Sequence, residues 1–331
     1  MAGYPYATAG TTPTLYPTGS ANPNYVTNGF VPEIWSGKLI EKFYAATVLS
    51  AISNTDYEGE IKGFGDRVKI RTKPTILINN YDINGLLSLD RPVGGNIELY
   101  VDQGKYWATI LDDIIEKQSD INQLATWADD ASEQMKIAVD QDVLGFILNS
   151  GNSANMGSAA GAISGNINLG TVASPLAVVG RDPTTGQVEV LDVILRLAQC
   201  LDELNIPETG RWMVLPVWMT TQLKRSELRQ VYMSGDQVSI IRNGRFGGVD
   251  RFTIYASNLL PAGAVGGLAA GEWVVYAGHA HALTFASQMT NVETLRSEMT
   301  FGQIFRGLQI YGRAVLDGKA LAQAIVTQAG P

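Results

Sequence analysis

Residues 56–112 contain two short runs of strict polar–apolar alternation with turn-forming sequence between them, and this pattern limits the fold more than any other in the chain. In Arg67-Val-Lys-Ile-Arg-Thr-Lys73 the cations Arg67, Lys69, Arg71 and Lys73 fall at every second position, so on a strand they share one face. Pro74 interrupts the run. After the turns, Asn96-Ile-Glu-Leu-Tyr-Val-Asp102 alternates again, with Glu98 and Asp102 on its polar side. Two such strands make a long ribbon with polar tips, and a hairpin of two strands is marginally stable in water by itself. Something must lie beneath it. Two partners for the basic face stay open: Glu98 and Asp102 across the ribbon, or acidic residues of another molecule.

The flanking segments give the ribbon its context. Residues 1–31 are rich in Thr, Pro, Gly, Asn and Tyr, carry almost no charge and show no apolar period. They read as an extended arm that cannot bury a core of its own, lying along a partner or hanging free. Pro32-Glu-Ile-Trp opens a helix to about Ile52, ended by Asn54, with proline in the first turn and Glu33 at the positive helix end. A much longer helix is capped by Ser119 or Asp120 and runs to about Asn149, with Gly151 placed to stop it. About thirty residues at 1.5 Å each make it roughly 45 Å long. Its apolar stripe is narrow (Ile121, Leu124, Ala128, Ala131, Met135, Ala138) and shifts near Asp142 to Val139, Val143, Phe146 and Ile147. Asp129, Asp130, Glu133 and Asp140 occupy other faces. This is the pattern of a strut laid on a sheet.

Residues 151–189 read as loops and short strands, with a turn at Asp182-Pro-Thr-Thr-Gly186. From Val190 the texture becomes α/β: helix Val190–Leu204, buried strand Arg211-Trp-Met-Val-Leu-Pro216, helix Val217–Ser226 and strand Phe252-Thr-Ile-Tyr-Ala256. Further strands fall in Trp273–Tyr276, His281–Ala286 and Gln309–Val326. The fold class is α+β, without a fixed-period repeat.

Composition narrows the function. At 331 residues and 45% hydrophobic content the chain can bury real cores, while only 17% of it is charged and 35 residues are glycine. That suits a surface covered by neighbours. A net charge of −8 argues against a nucleic-acid-binding module, which needs a basic footprint for phosphates. Cys200, the one cysteine, excludes an internal disulfide and a Cys-based zinc site, and reads as a small buried hydrophobe. The first residues have neither the basic nor the apolar region of a secretory signal, and the weakly polar run Ala262–Ala270 is too short and glycine-rich to span a bilayer. The expectation is a protein made in a cytoplasm, with no membrane partner.

Catalytic signatures are missing. Gly37-Lys and Gly318-Lys lack the upstream glycine of a phosphate loop, Gly244-Arg-Phe-Gly-Gly248 reads as a turn, and Gly161-Ala-Ile-Ser-Gly165 has the wrong spacing for a nucleophile elbow. His279 and His281, the two histidines, would face one way on a strand, a start to a metal site without a visible third ligand. Asp112-Asp113 and Asp129-Asp130 are neighbours whose side chains point apart, the mark of solvated faces and not of paired acid and base. No catalytic residue, metal or cofactor is expected.

The order of arm, short helix, ribbon, long helix and an α/β region interrupting a final set of strands resembles the major capsid proteins of tailed double-stranded-DNA bacteriophages. Local wording carries the likeness too: Phe30-Val-Pro-Glu-Ile-Trp35; Ile52-Ser-Asn-Thr-Asp-Tyr-Glu-Gly59 followed by Gly65-Asp-Arg-Val-Lys-Ile-Arg-Thr72; Arg211–Val217; and Gly247-Gly-Val-Asp-Arg-Phe-Thr-Ile-Tyr-Ala-Ser-Asn258 with Leu260-Pro261. The resemblance implies an L-shaped subunit with an N-terminal arm (1–31), an N-terminal helix (32–55) and an extended β-hairpin loop (56–112). A peripheral domain with the spine helix would take 113–189 and 286–331. An α/β axial domain, 190–285, would meet its copies at five-fold and six-fold centres.

The function so implied is a self-assembling structural subunit of an icosahedral phage head, not an enzyme, built from pentamers and hexamers around double-stranded DNA. It would reside in the virion after assembly in the host cytoplasm. A separate scaffolding protein, a portal and a decoration protein are the implied partners. The arm and the ribbon, lacking a core, would borrow one from the next copy. In that contact Arg67, Lys69, Arg71 and Lys73 are the expected cations, and Asp129, Asp130 and Glu133 the expected acids. The alternatives are a bacterial nanocompartment shell of the same fold enclosing an enzyme cargo, a tail-tube or decoration protein, and a metal-dependent hydrolase built on His279 and His281.

Overall fold

The computed structural model describes residues 44–329, except 46, 58–66, 82, 84, 114–122, 227–247, 264 and 299. In chain order the elements are helix α1 (Leu49–Ile52), strands β1 (Arg67–Arg71), β2 (Asn96–Tyr100) and β3 (Gln103–Asp112), and helix α2 (Gln123–Ile147). Next come β4 (Leu176–Val179), β5 (Gln187–Glu189), α3 (Val190–Glu203), β6 (Arg211–Leu215), α4 (Val217–Arg225), β7 (Gly248–Val249) and β8 (Phe252–Ala256). Strands β9 (Glu272–His279), β10 (Leu283–Arg296), β11 (Gly302–Val315) and β12 (Leu321–Gln328) complete them. The arm expected at 1–31 and most of the helix expected at 32–55 lie outside the described residues.

A mixed sheet in the order β5-β4-β12-β9-β6-β8-β7 is buried on both sides. Its strands therefore read as continuous apolar runs, and successive residues supply two different cores. Met213 and Leu215 of β6 face one way, onto Val193, Ile194, Leu197 and Leu201 of α3 and Met219 and Leu223 of α4. Trp212 and Val214 face the other, onto Val139, Val143, Leu144 and Ile147 of α2 and Leu49 and Ile52 of α1. Tyr276 of β9 donates its hydroxyl to the Leu144 carbonyl at 3.0 Å, satisfying a buried polar group between sheet and helix. Cys200 is fully buried among the α3 contacts, and burial pushes its thiol up to about 12, as expected of a packing residue.

This sheet redraws the divisions expected from sequence. β4, β5 and β12 come from the stretches assigned to a peripheral domain, yet β12 lies between β4 and β9, inside the sheet formed by 190–285. Leu321–Gln328 is apolar on both faces, so no single-sided position could bury it.

A second sheet, β10-β11-β3, is antiparallel throughout. On one face it meets α2, where Tyr311 donates to the Asp142 carboxylate at 2.7 Å and Arg313 pairs with the same carboxylate. The other face, near the same end, carries the ribbon. Leu99 and Val101 pack on Ala286 and Ala314, with Val68, Ile70 and Ile310 alongside. The expectation that the ribbon must take its floor from another copy is corrected here: β10 and β11 of its own chain provide it. Gln103–Asp112, grouped with the ribbon by sequence, belongs instead to the sheet below.

Two smaller expectations also change. The long helix ends at Ile147, and Asn149, at φ 60°, takes the left-handed position expected of Gly151. Asparagine is held there because Gln323 accepts its backbone N–H at 2.8 Å and donates to its side chain at 2.7 Å. His279 closes β9, but His281 lies in the following turn and donates its backbone N–H to His279 Nδ1 at 3.1 Å. The pair does not share a strand face, and no metal-binding cluster is found among the described residues.

The turn at 161–165 is tied to α3 by Glu203, whose carboxylate accepts N–H from Ile163 at 2.8 Å and Ser164 at 3.0 Å. These bonds hold it near 2, below the usual carboxylate range. A depressed folded-state pKa stabilises above the unfolded value and the benefit is lost as pH falls through the folded one. The protection of the Ile163 and Ser164 amides relative to an unstructured chain is therefore expected to fall between about pH 4 and pH 2, and Glu203→Ala should show that low protection already at neutral pH.

Candidate interaction surface

The ribbon's alternation is realised residue by residue. Val68 and Ile70 turn inward, and Arg67, Lys69 and Arg71 turn outward along β1, with Lys73 exposed beyond the strand's end. Antiparallel register sets Lys69 opposite Glu98 and Arg67 opposite Tyr100. Lys69 Nζ lies 3.3 Å and Arg67 Nη1 3.6 Å from the Glu98 carboxylate, which also accepts the Tyr100 hydroxyl. The Tyr100 hydrogen bond, then Lys69, holds the Glu98 carboxyl below its ordinary range. Asp102 instead accepts the Gln103 side-chain amide at 2.9 Å. Among the described residues no acid lies within ion-pair distance of Arg71 or Lys73, so the outer end of the stripe keeps its positive charge.

The ladder ends where its chemistry runs out. Thr72 donates its N–H and its hydroxyl to the Gly95 carbonyl at 2.8 and 2.9 Å. In the same register Pro74 would face Val93 and Thr75 would face Pro92, so each leg meets a residue without an N–H. Beyond lies a loop with its apolar side chains in solvent. Ile76, Leu77, Ile78, Tyr81, Ile83, Leu86, Leu87, Leu89 and Val93 all retain at least 67% of their accessible surface. An apolar patch of this extent marks an interaction site. Sequence reasoning saw turns here and missed the signal, which is the row of Ile and Leu between Pro74 and Pro92.

The acidic positions of α2 have nearby partners. Asp130 accepts the Tyr44 hydroxyl at 2.8 Å, which raises the tyrosine's pKa, and Glu133 pairs with Lys136 one turn on at 2.6 Å. Asp129 is exposed. It lines one side of a mostly apolar groove of 390 Å³ between α2 and the three-stranded sheet, with Met135, Trp107, Val292 and Leu308. Trp107 is fixed there by edge-to-face contact with Phe305 at 4.8 Å between ring centres.

Asp140 and Asp142, which sequence reasoning treated only as polar positions, are fasteners. Asp140 is buried and accepts N–H from Val48 at 3.2 Å and Leu49 at 2.9 Å; burial raises its carboxyl's pKa and the two bonds oppose the rise. The C-terminal half of α2 is thereby clamped, while its N-terminal half, with the three acids, stays only half-buried over the groove.

Comparison with known proteins gives one direction. Residues 97–324 match the family described as Phage capsid protein. No curated protein matches. Among solved structures the chain is similar to one described as Mycobacterium phage Che8, with TM-score 0.71 and 23% identity over 89% of this chain and 97% of that one. It is also similar to the capsid structure of Cyanophage P-SCSP1u (TM-score 0.67, 14% identity, 91% and 94% covered). The mature capsid of bacteriophage PhiM1 is a third (TM-score 0.64, 15% identity, 91% and 93% covered).

Proposed function

The chain belongs to the phage capsid protein family and is a major capsid protein, a structural subunit of the shell, and from that premise we propose that its copies interlock through the loop at 72–95. The observation that carries this reading is the loop's row of exposed Ile and Leu side chains. Its natural receiver is the half-open groove beside Asp129, apolar inside with Asp129 and Lys136 among its polar lining. The sequence of the loop supports the match: the cations Arg71 and Lys73, which have no acid within ion-pair distance among the described residues, shortly precede Ile76-Leu-Ile78, so one approach brings cations to Asp129, Asp130 and Glu133 and apolar side chains to Trp107 and Met135. Arg67 and Lys69, which share Glu98, set the ribbon's shape more than they offer free charge.

Further reach belongs to the same reading. Copies assemble as pentamers and hexamers around double-stranded DNA in the host cytoplasm, with a separate scaffolding protein, a portal and a decoration protein, and the shell carries no catalytic activity. Permanent interfaces bury more than about 2,000 Å², and loop exchange around a ring lets modest contacts sum to that scale. The test is the double variant Arg71→Glu with Lys73→Glu. Each exposed pair contributes only about 0.2–1 kcal/mol, but reversal replaces attraction by repulsion at every copy. The assembled fraction by sedimentation is expected to fall about ten-fold or more, with the subunit's melting temperature unchanged. Normal particles from this variant would overturn the assignment.

A further inference from the structure

The three-stranded sheet has two unlike edges. β10 is covered at its start by Asn54, whose N–H reaches the Leu283 carbonyl at 2.8 Å and whose carbonyl accepts from Phe285 at 3.0 Å. A register shift between Ser287 and Met289 bends β10, and its outer half carries Glu293 and Arg296. Bulges and charges are the devices that keep an edge strand from pairing with another chain. β3 has neither. It pairs with β11 without a break from Asp112↔Gly302 to Gln103↔Tyr311, contains no proline, and has no charge between Tyr106 and Leu111. Among the described residues no strand pairs its other side. Alternate backbone N–H and C=O groups along it therefore point away from β11 with no ladder to join.

The loop holds the matching demand. Thr75-Ile-Leu-Ile-Asn-Asn-Tyr81 is uncharged, rich in residues that favour strands, exposed, and in no ladder of its own chain. Pro74 and Pro92 are what stop it from pairing across the ribbon, so its backbone stays available to another partner.

We infer that residues 75–81 of one copy add as a fourth strand to the outer edge of β3 in a second copy. This rests on the loop being the intersubunit contact and names the element that receives it. Strand addition draws affinity from main-chain hydrogen bonds and specificity from alternate side chains. On β3 those include Trp107, which lines the groove, and Thr109 on the same strand face, and on the loop Ile76 and Ile78. The uncharged stretches of the two segments are of similar length, so no charge is buried.

The experiment is residue-resolved amide exchange on the full chain, compared before and after shell assembly. A new strand protects every second amide of β3. Alternate amides within 104–111 should slow about 100-fold or more on assembly, their neighbours being slow in both states, and 75–81 should slow in parallel. Protection of 75–81 with β3 unchanged overturns strand addition and leaves the loop contact standing. Protection of β3 without 75–81, or β3 already slow on both sides before assembly, means that another segment occupies the edge and also overturns it. Protection of neither segment in intact shells removes the loop contact as well.

Discussion

Aspartate at both Ile76 and Ile78 is expected to abolish shell formation while leaving the subunit as stable as before. The two side chains are 67% and 91% exposed, so the folded subunit loses almost nothing when they change; exposed substitutions of this kind usually shift stability by less than about 0.5 kcal/mol. At an interface the balance reverses. Burying each isoleucine contributes about 1.5–3 kcal/mol, and a carboxylate in its place must be desolvated without a partner. Both losses recur at every copy. Electron microscopy should show no particles, sedimentation a single small species, and thermal melting a shift of no more than about 2 °C. Particles in normal yield would mean that the apolar row faces solvent in the shell too. Ile78→Leu, which keeps the surface apolar, should assemble normally.

The second large effect is expected at Gly312, where β11 passes under the ribbon. A side chain there would drive its first carbon into the Tyr100 carbonyl oxygen and within 3.0 Å of Val101 Cγ2, and carbonyl oxygen cannot swing aside as a side chain can. Gly312→Val should force β2 off the sheet and destabilise the protein by about 2–3 kcal/mol, the usual scale for overpacking. Leu99, fully buried now, should become accessible to exchange and protease. Gly104→Val is the matched control, since a side chain at that strand position meets nothing within 4 Å, and should change stability by less than about 0.5 kcal/mol. Equal effects at the two glycines would remove the ribbon from the surface of β11. Chemical denaturation with exchange at residues 96–101 reads both quantities.

The legibility of this chain followed the range of its interactions. Alternation over Arg67–Arg71 and Asn96–Tyr100 was enough to place β1, β2 and the face of each cation, because the period of a strand is set by its own backbone. The helix read at Val190–Leu204 likewise matches α3, Val190–Glu203. The Glu98 pairing was legible as one of two options, since cross-strand neighbours are fixed once register is known. Tyr44 on Asp130 was not, because nothing near either residue announces the other. The exposed loop was missed for a different reason: the stretch after Pro74 was read as turns, and the exposure of its Ile and Leu side chains depends on what the rest of the fold leaves uncovered.

The amino-acid order by itself determined the ribbon strands β1 and β2 and the apolar face of each, strands β6 and β8, and helices α2, α3 and α4. Its pattern also carried the likeness to the capsid family. Only the tertiary structure decided that Gln103–Asp112 joins β11, that β12 returns to the middle of the seven-stranded sheet, and that the ribbon rests on its own chain. Local pattern reports how a segment wants to be buried, whereas the partner that buries it is chosen by contacts between residues far apart in sequence, through volumes and close approaches such as Tyr100 over Gly312 that no periodicity encodes.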